Sequence, residues 1–147
     1  MHDSTAALLT ATVAYEGGLR TTCTHVASGQ TFVTDAPVDN HGRGEAFSPT
    51  DLAATSLAAC ILTTIAIMLE HRELDFKGAR AEVIKVMGGP PRRITKIRTV
   101  IYAPDREYDP AQRELIAKVV EACPVGRSLH PDLEQETVVV YAGEVTA

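Results

Sequence analysis

Three cysteines are the residues through which this chain could do covalent chemistry, and their surroundings differ. Cys123 immediately precedes Pro124, a residue suited to open a helix because it has no N–H to leave unpaired. Partial positive charge at a helix N-terminus lowers a thiol pKa, and the thiolate is the nucleophilic form, so this is the setting of a reactive thiol. A cysteine there serves equally as a purely structural cap. Cys60 lies in the middle of a long uncharged run and, on its own, reads as core filler, since free cysteine is among the most buried residue types. Cys23 lies in a Thr-rich strand pattern with no such feature and reads as structural.

Other chemistries find little support. No pair of Cys or His occurs at metal-ligand spacing, and the five His are scattered, with His71 read as a surface helix-end residue. GGP at 88–90 matches no phosphate-binding fingerprint. No strand-turn-helix nucleophile motif surrounds a serine; Ser48 and Ser56 read better as a cap and a close-packing residue.

The element that must position Cys60 is SPTDLAATSLAACILTTIAIMLE at 48–70. Ser48, Pro49 and Asp51 form a helix start, and eighteen residues from Leu52 to Leu69 follow without a charge. A helix apolar all round must be enclosed by protein or lipid. Four hydroxyls (Thr55, Ser56, Thr63, Thr64) and the mixed-charge exit EHRE argue for a protein core and against a membrane span. The small residues ahead of Cys60 allow a second backbone, including that of an identical helix, to approach closely.

Around this helix the pattern predicts strands over Ala7–Tyr15 and Leu19–Ala27, a hairpin turning at Gly17 and Gly18, and a short third strand, Thr31–Thr34. Asp35–Glu45 is a loop. After a helix end near Arg72, strands over Ala79–Met87 and Arg93–Tyr102 form a second hairpin. Asp109, Pro110 and Gln112 cap an amphipathic helix that Pro124 stops near Cys123, a short helix follows, and Thr137–Ala142 is a closing strand. This order is α+β, not doubly wound. At 147 residues the chain is predicted to be a single domain, 1–147.

Composition narrows the partners. A formal net charge of −5 argues against nucleic acid and anionic membrane, and 5 % aromatic content without tryptophan disfavours base-stacking surfaces. MHDSTAALLTATVAYEGG has no basic region ahead of its apolar stretch, which predicts no signal peptide and a cytoplasmic location. An odd number of widely spaced cysteines is no secreted disulfide framework.

FSPTDLAATSLAAC at 47–60 and CPVGRSL at 123–129, with GGLRT at 17–21 and PRRITKI at 91–97 in the same order, resemble the OsmC and Ohr family of thiol-dependent peroxidases. The resemblance covers nearly the whole chain. It implies an OsmC-like α+β homodimer with an N-terminal β-hairpin sheet and two long central helices. It also implies a function in oxidative stress: Cys60 as thiolate attacks an organic hydroperoxide, Cys123 condenses with the sulfenic acid to a disulfide, and a dithiol, lipoyl-type by family analogy, reduces it. Arg20 matches the family's arginine that holds the thiolate, and no cofactor or metal is implied.

One departure bears on the site. Peroxidase members carry a glutamate directly after the helix-opening proline to orient that arginine; this chain has Thr50 there and Asp51 one place later. At about 100° per residue, position 51 points roughly opposite to Cys60, and position 50 lies about 15 Å from it along the axis. Asp51 is therefore read as a cap, which leaves the arginine without an assigned carboxylate. The departure also keeps open a non-catalytic dimer that binds small molecules or senses redox state.

Overall fold

A computed structural model describes residues 7–144. The chain divides into two compact units, the first ending at Leu52 and the second beginning at Ala53. In the first, β1 (Ala11–Gly17), β2 (Arg20–His25) and β3 (Thr31–Asp35) form an antiparallel sheet in the order β1-β2-β3. Its strands begin and end within a few residues of the expected limits. The segment read as a loop contains a short 3-10 turn, Val38–Asn40. At Gly42 any side chain would collide with the Ala36 carbonyl, so only glycine lets the loop double back there.

The central helix α1 runs Pro49–Glu70. Its start is a reciprocal capping box: Asp51 N–H donates to Ser48 Oγ and Ser48 N–H donates to the Asp51 carboxylate, both at 3.0 Å. Asp51 is thus a cap, as its position in the sequence implies. By length and composition α1 is apolar enough to cross a membrane. Its buried residues are Ala54, Leu57, Ala58, Ile61, Ile65 and Leu69, a stripe at helical spacing. The sequence predicts enclosure on every side, yet Ile67 is 56 % exposed and Met68 36 %. One layer of secondary structure covers only one face of a helix, so the uncharged opposite face is left bare.

That layer is the second sheet, β4 (Arg80–Gly88), β5 (Arg93–Tyr102) and β6 (Glu134–Val140), in the order β4-β5-β6. β4 and β5 are the expected hairpin; β6 pairs parallel to β5, reached through the helices α2 (Pro110–Glu121) and α3 (Pro124–Ser128). A parallel pair needs such a crossover, and here the crossover carries Cys123. Alternation on the middle strand puts Ile97, Thr99 and Ile101 in the interior with no exposure. They join Leu57, Ile61, Ile65, Ile116 and Cys123 in one core. α2 is held by the Asp109–Gln112 capping box.

Each fully buried Leu or Ile in this core contributes about 1.5–3 kcal/mol by leaving water. Ile65→Ala is expected to lower unfolding stability by about 2–5 kcal/mol, the transfer loss plus the cavity left behind. Urea denaturation measures it, and a midpoint equal to the wild type's would contradict the placement of this residue at the core.

Candidate active site

Cys60 sits half-buried about three turns along α1, packed against the core that contains Cys123. Cys123 is at the N-cap position of α3 and only 1 % exposed. Pro124 ends the path of α2 and starts α3, turning the first amides of the short helix toward the sulfurs. Gly126 keeps the turn close to its neighbours: a Cβ there would lie 2.8 Å from Gln135 Oε1 and 3.4 Å from Leu57. Both thiols are free, and each shifts the pKa of the other, Cys123 as the donor and Cys60 as the acceptor.

The two sulfurs are driven in opposite directions. Burial pushes the Cys60 thiol up, but hydrogen bonds from Cys123, the Val125 N–H and the Thr64 hydroxyl together outweigh it and hold its pKa below the ordinary thiol value. Burial pushes Cys123 up, and its bond to Cys60 adds to the rise; the Gly126 and Val125 amides offset only part of it. The sequence leaves Cys123 open between a thiol acidified by the helix end and a structural cap; here its pKa is raised. The Gly126 and Val125 amides do pull the Cys123 pKa down, but burial and the bond to Cys60 outweigh them. The anion-stabilising end of α3 also benefits Cys60.

Arg20 belongs to the first unit, at the start of β2, directly across from Asp35 at the end of β3. Its Nε and Nη2 each donate to one Asp35 carboxylate oxygen at 2.7 Å, a bidentate pair, and Nη2 also donates to Glu45 at 3.0 Å. Asp35 has no exposed surface, and it accepts the Glu45 N–H at 3.2 Å as well. The Arg20 guanidinium therefore holds the Asp35 carboxyl below its usual range, and the two acids raise the Arg20 pKa. These are the carboxylates that the sequence leaves unassigned. Thr50, standing where peroxidases carry glutamate, has its hydroxyl 3.2 Å from Ser48 Oγ instead. Counting back from the loop between β2 and β3 puts position 35 opposite position 20, a signal obscured by reading Asp35 as the first loop residue.

Cys23 is half-buried in β2, its sulfur 3.8 Å from the Thr21 hydroxyl. Among the described residues no cluster of His, Cys, Asp and Glu could hold a metal ion. A groove of about 690 Å³ lies beside α1, with Leu62, Ala66 and Phe76 in its lining and Glu70, Glu73 and Asp75 at its edge; neither Cys60 nor Cys123 lines it.

Residues 42–137 match the family described as OsmC-like protein. A solved structure from Psychrobacter arcticus 273-4, provisionally described as an osmotic stress induced and detoxification response protein, is similar at 44 % identity. It covers 90 % of this chain and 96 % of its own, with a TM-score of 0.87. An organic hydroperoxide resistance protein from Legionella pneumophila shares the fold at 18 % identity, covering 90 % and 98 % with a TM-score of 0.70. The organic hydroperoxide resistance protein OhrB of Bacillus subtilis does so at 17 %, covering 91 % and 100 % with a TM-score of 0.64. No curated protein matches.

The Arg20–Asp35 pair has a pH signature. Because the folded-state pKa of Asp35 is depressed, its contribution is fully present above the ordinary carboxylate value near about 3.9 and is lost as pH falls through the lower folded value. Asp35→Asn is expected to melt well below the wild type at neutral pH, with the gap narrowing below about pH 4. A gap of constant size down to strong acid would contradict the ion pair.

Proposed function

Because the chain belongs to the OsmC family, we propose that it is a cysteine-based peroxidase that reduces organic hydroperoxides in oxidative stress defence. One observation carries the reading: two thiols of one core that shift each other's pKa in opposite directions, Cys60 toward the thiolate and Cys123 toward the protonated form. That is the asymmetry a peroxidatic and a resolving cysteine need, since a thiolate attacks and a protonated thiol survives to the second step.

The steps balance as follows. The Cys60 thiolate attacks the terminal oxygen of R–O–O–H, the O–O bond breaks, and Cys60 becomes a sulfenic acid while RO⁻ takes a proton and leaves as the alcohol. Cys123 then loses its proton and attacks the sulfenic sulfur as thiolate, the S–O bond breaks, the hydroxide takes a proton and leaves as water, and a Cys60–Cys123 disulfide forms. An external dithiol of the lipoyl class reduces it by two exchange steps. A disulfide needs Cα atoms within about 4.4–6.8 Å, and Cys60 packs against the core that contains Cys123. Arg20, by its place in the family pattern, is the cation assigned to the thiolate and the peroxide. Its bidentate hold on Asp35 fixes the guanidinium before substrate arrives. The bare uncharged face of α1 supports a homodimer, and the net charge of −5 fits a cytoplasmic enzyme with no nucleic acid or membrane partner.

One equivalent of cumene hydroperoxide is expected to remove two titratable thiols per chain, with a Cys60–Cys123 bridge found by mass spectrometry inside one chain. Cys60→Ser should consume none. Equal hydroperoxide consumption by Cys60→Ser and the wild type, both supplied with dithiol, would overturn the reading in favour of a non-catalytic binding or redox-sensing dimer.

A further inference from the structure

Two adjacent hydroxyls follow Cys60 by about one turn of α1, and together they over-supply one carbonyl. Thr64 Oγ1 donates to the Cys60 carbonyl oxygen at 2.7 Å, and Thr63 Oγ1 lies 3.1 Å from the same oxygen and 3.0 Å from the Ala59 carbonyl. The helix ladder adds the Thr64 N–H to the Cys60 carbonyl. A carbonyl has two lone pairs, so it can lose one of three donors without being left unpaired. Thr64 Oγ1 is also 3.9 Å from Cys60 Sγ, a long contact for a neutral thiol, which accepts weakly.

A hydroxyl carries one proton and must choose between these acceptors. While Cys60 is protonated, the carbonyl is the better one. Once the sulfur is charged it becomes a much stronger acceptor, for hydrogen bonds to ions are roughly twice as strong as neutral ones. We propose that Thr64 is a further catalytic residue of the peroxidase site: its O–H turns from the Cys60 carbonyl to the Cys60 sulfur when that sulfur ionises, while Thr63 keeps the carbonyl paired. No proton is transferred; the O–H bond stays intact and only its direction changes. The downward pull of Thr64 on the Cys60 pKa agrees with this contact. The inference rests on reading Cys60 as the attacking thiol.

The test is the pH profile of Cys60 alkylation by iodoacetamide, resolved from Cys23 and Cys123 by peptide mass spectrometry. Thr64→Val keeps the shape and removes the donor; Thr64→Ser keeps the donor and removes the methyl group. The Thr64→Val midpoint is expected to rise by about one pH unit, and that of Thr64→Ser to stay with the wild type. Hydroperoxide consumption at neutral pH should fall only about threefold in Thr64→Val, because a more basic thiolate is a better nucleophile. Thr63→Val should add nothing to the shift of Thr64→Val in the double variant, since it acts through Thr64. An unmoved Thr64→Val midpoint, or a Thr64→Ser midpoint that rises as far, overturns the proposal; additive shifts overturn the part given to Thr63. Alkylation needs no peroxide. A wild type that consumes no hydroperoxide therefore fails the peroxidase reading, while the midpoints still decide whether Thr64 holds the thiolate.

Discussion

The packing of Cys60 against the core that holds Cys123 is the constraint on which the second unit's candidate site depends. It requires the middle of α1 and the first turn of α3 to meet, and they meet because the parallel β5–β6 pair forces a crossover back over the sheet. Ile97 and Ile101 on β5 and Ile61 and Ile65 on α1 fill the layer between, so helix and crossover are held against one surface. Leu57, one turn before Cys60, is both in this core and within 3.4 Å of where a Gly126 side chain would be. Packing at that point sets the separation at which the α3 amides face the sulfurs.

The same packing decides which thiol is acidic. Both cysteines feel the Val125 amide, but Cys123 is almost wholly inside the core and Cys60 is only half-buried. Desolvation therefore dominates at Cys123, whereas at Cys60 three donors overcome it. A buried thiol beside a less buried one gives up its proton last and offers it as a hydrogen bond, which lowers its neighbour further. Position along the chain does not carry this; depth does.

Much of the fold is legible in the sequence. The capping signals at Ser48–Asp51 and Asp109–Gln112 are local chemistry and appear as capping boxes, and β5 spans the residues expected of the second hairpin's return strand. The family is legible too, from motifs at 47–60 and 123–129. What the sequence hides is non-local. The exposure of one face of α1 depends on how much of the chain is available to cover it, and an uncharged run carries no mark of that. Asp35 and Glu45 hold Arg20 through strand register and a returning loop, although the family pattern places the acid at position 50. The Cys123 pKa stays open in the sequence because helix polarity can be read from Pro124 but burial cannot.

Once Cys60 ionises, Cys123 is expected to keep its proton and donate it as a hydrogen bond to the Cys60 sulfur. Thiolate absorbance titrated against pH in a Cys23→Ser background measures this directly, with Cys123→Ala and Cys60→Ala made in turn. The account predicts that Cys60 ionises first, that removing Cys123 raises the Cys60 midpoint by taking away a donor, and that removing Cys60 lowers the Cys123 midpoint. Cys123 ionising first, or midpoints that ignore the loss of the partner, would contradict it.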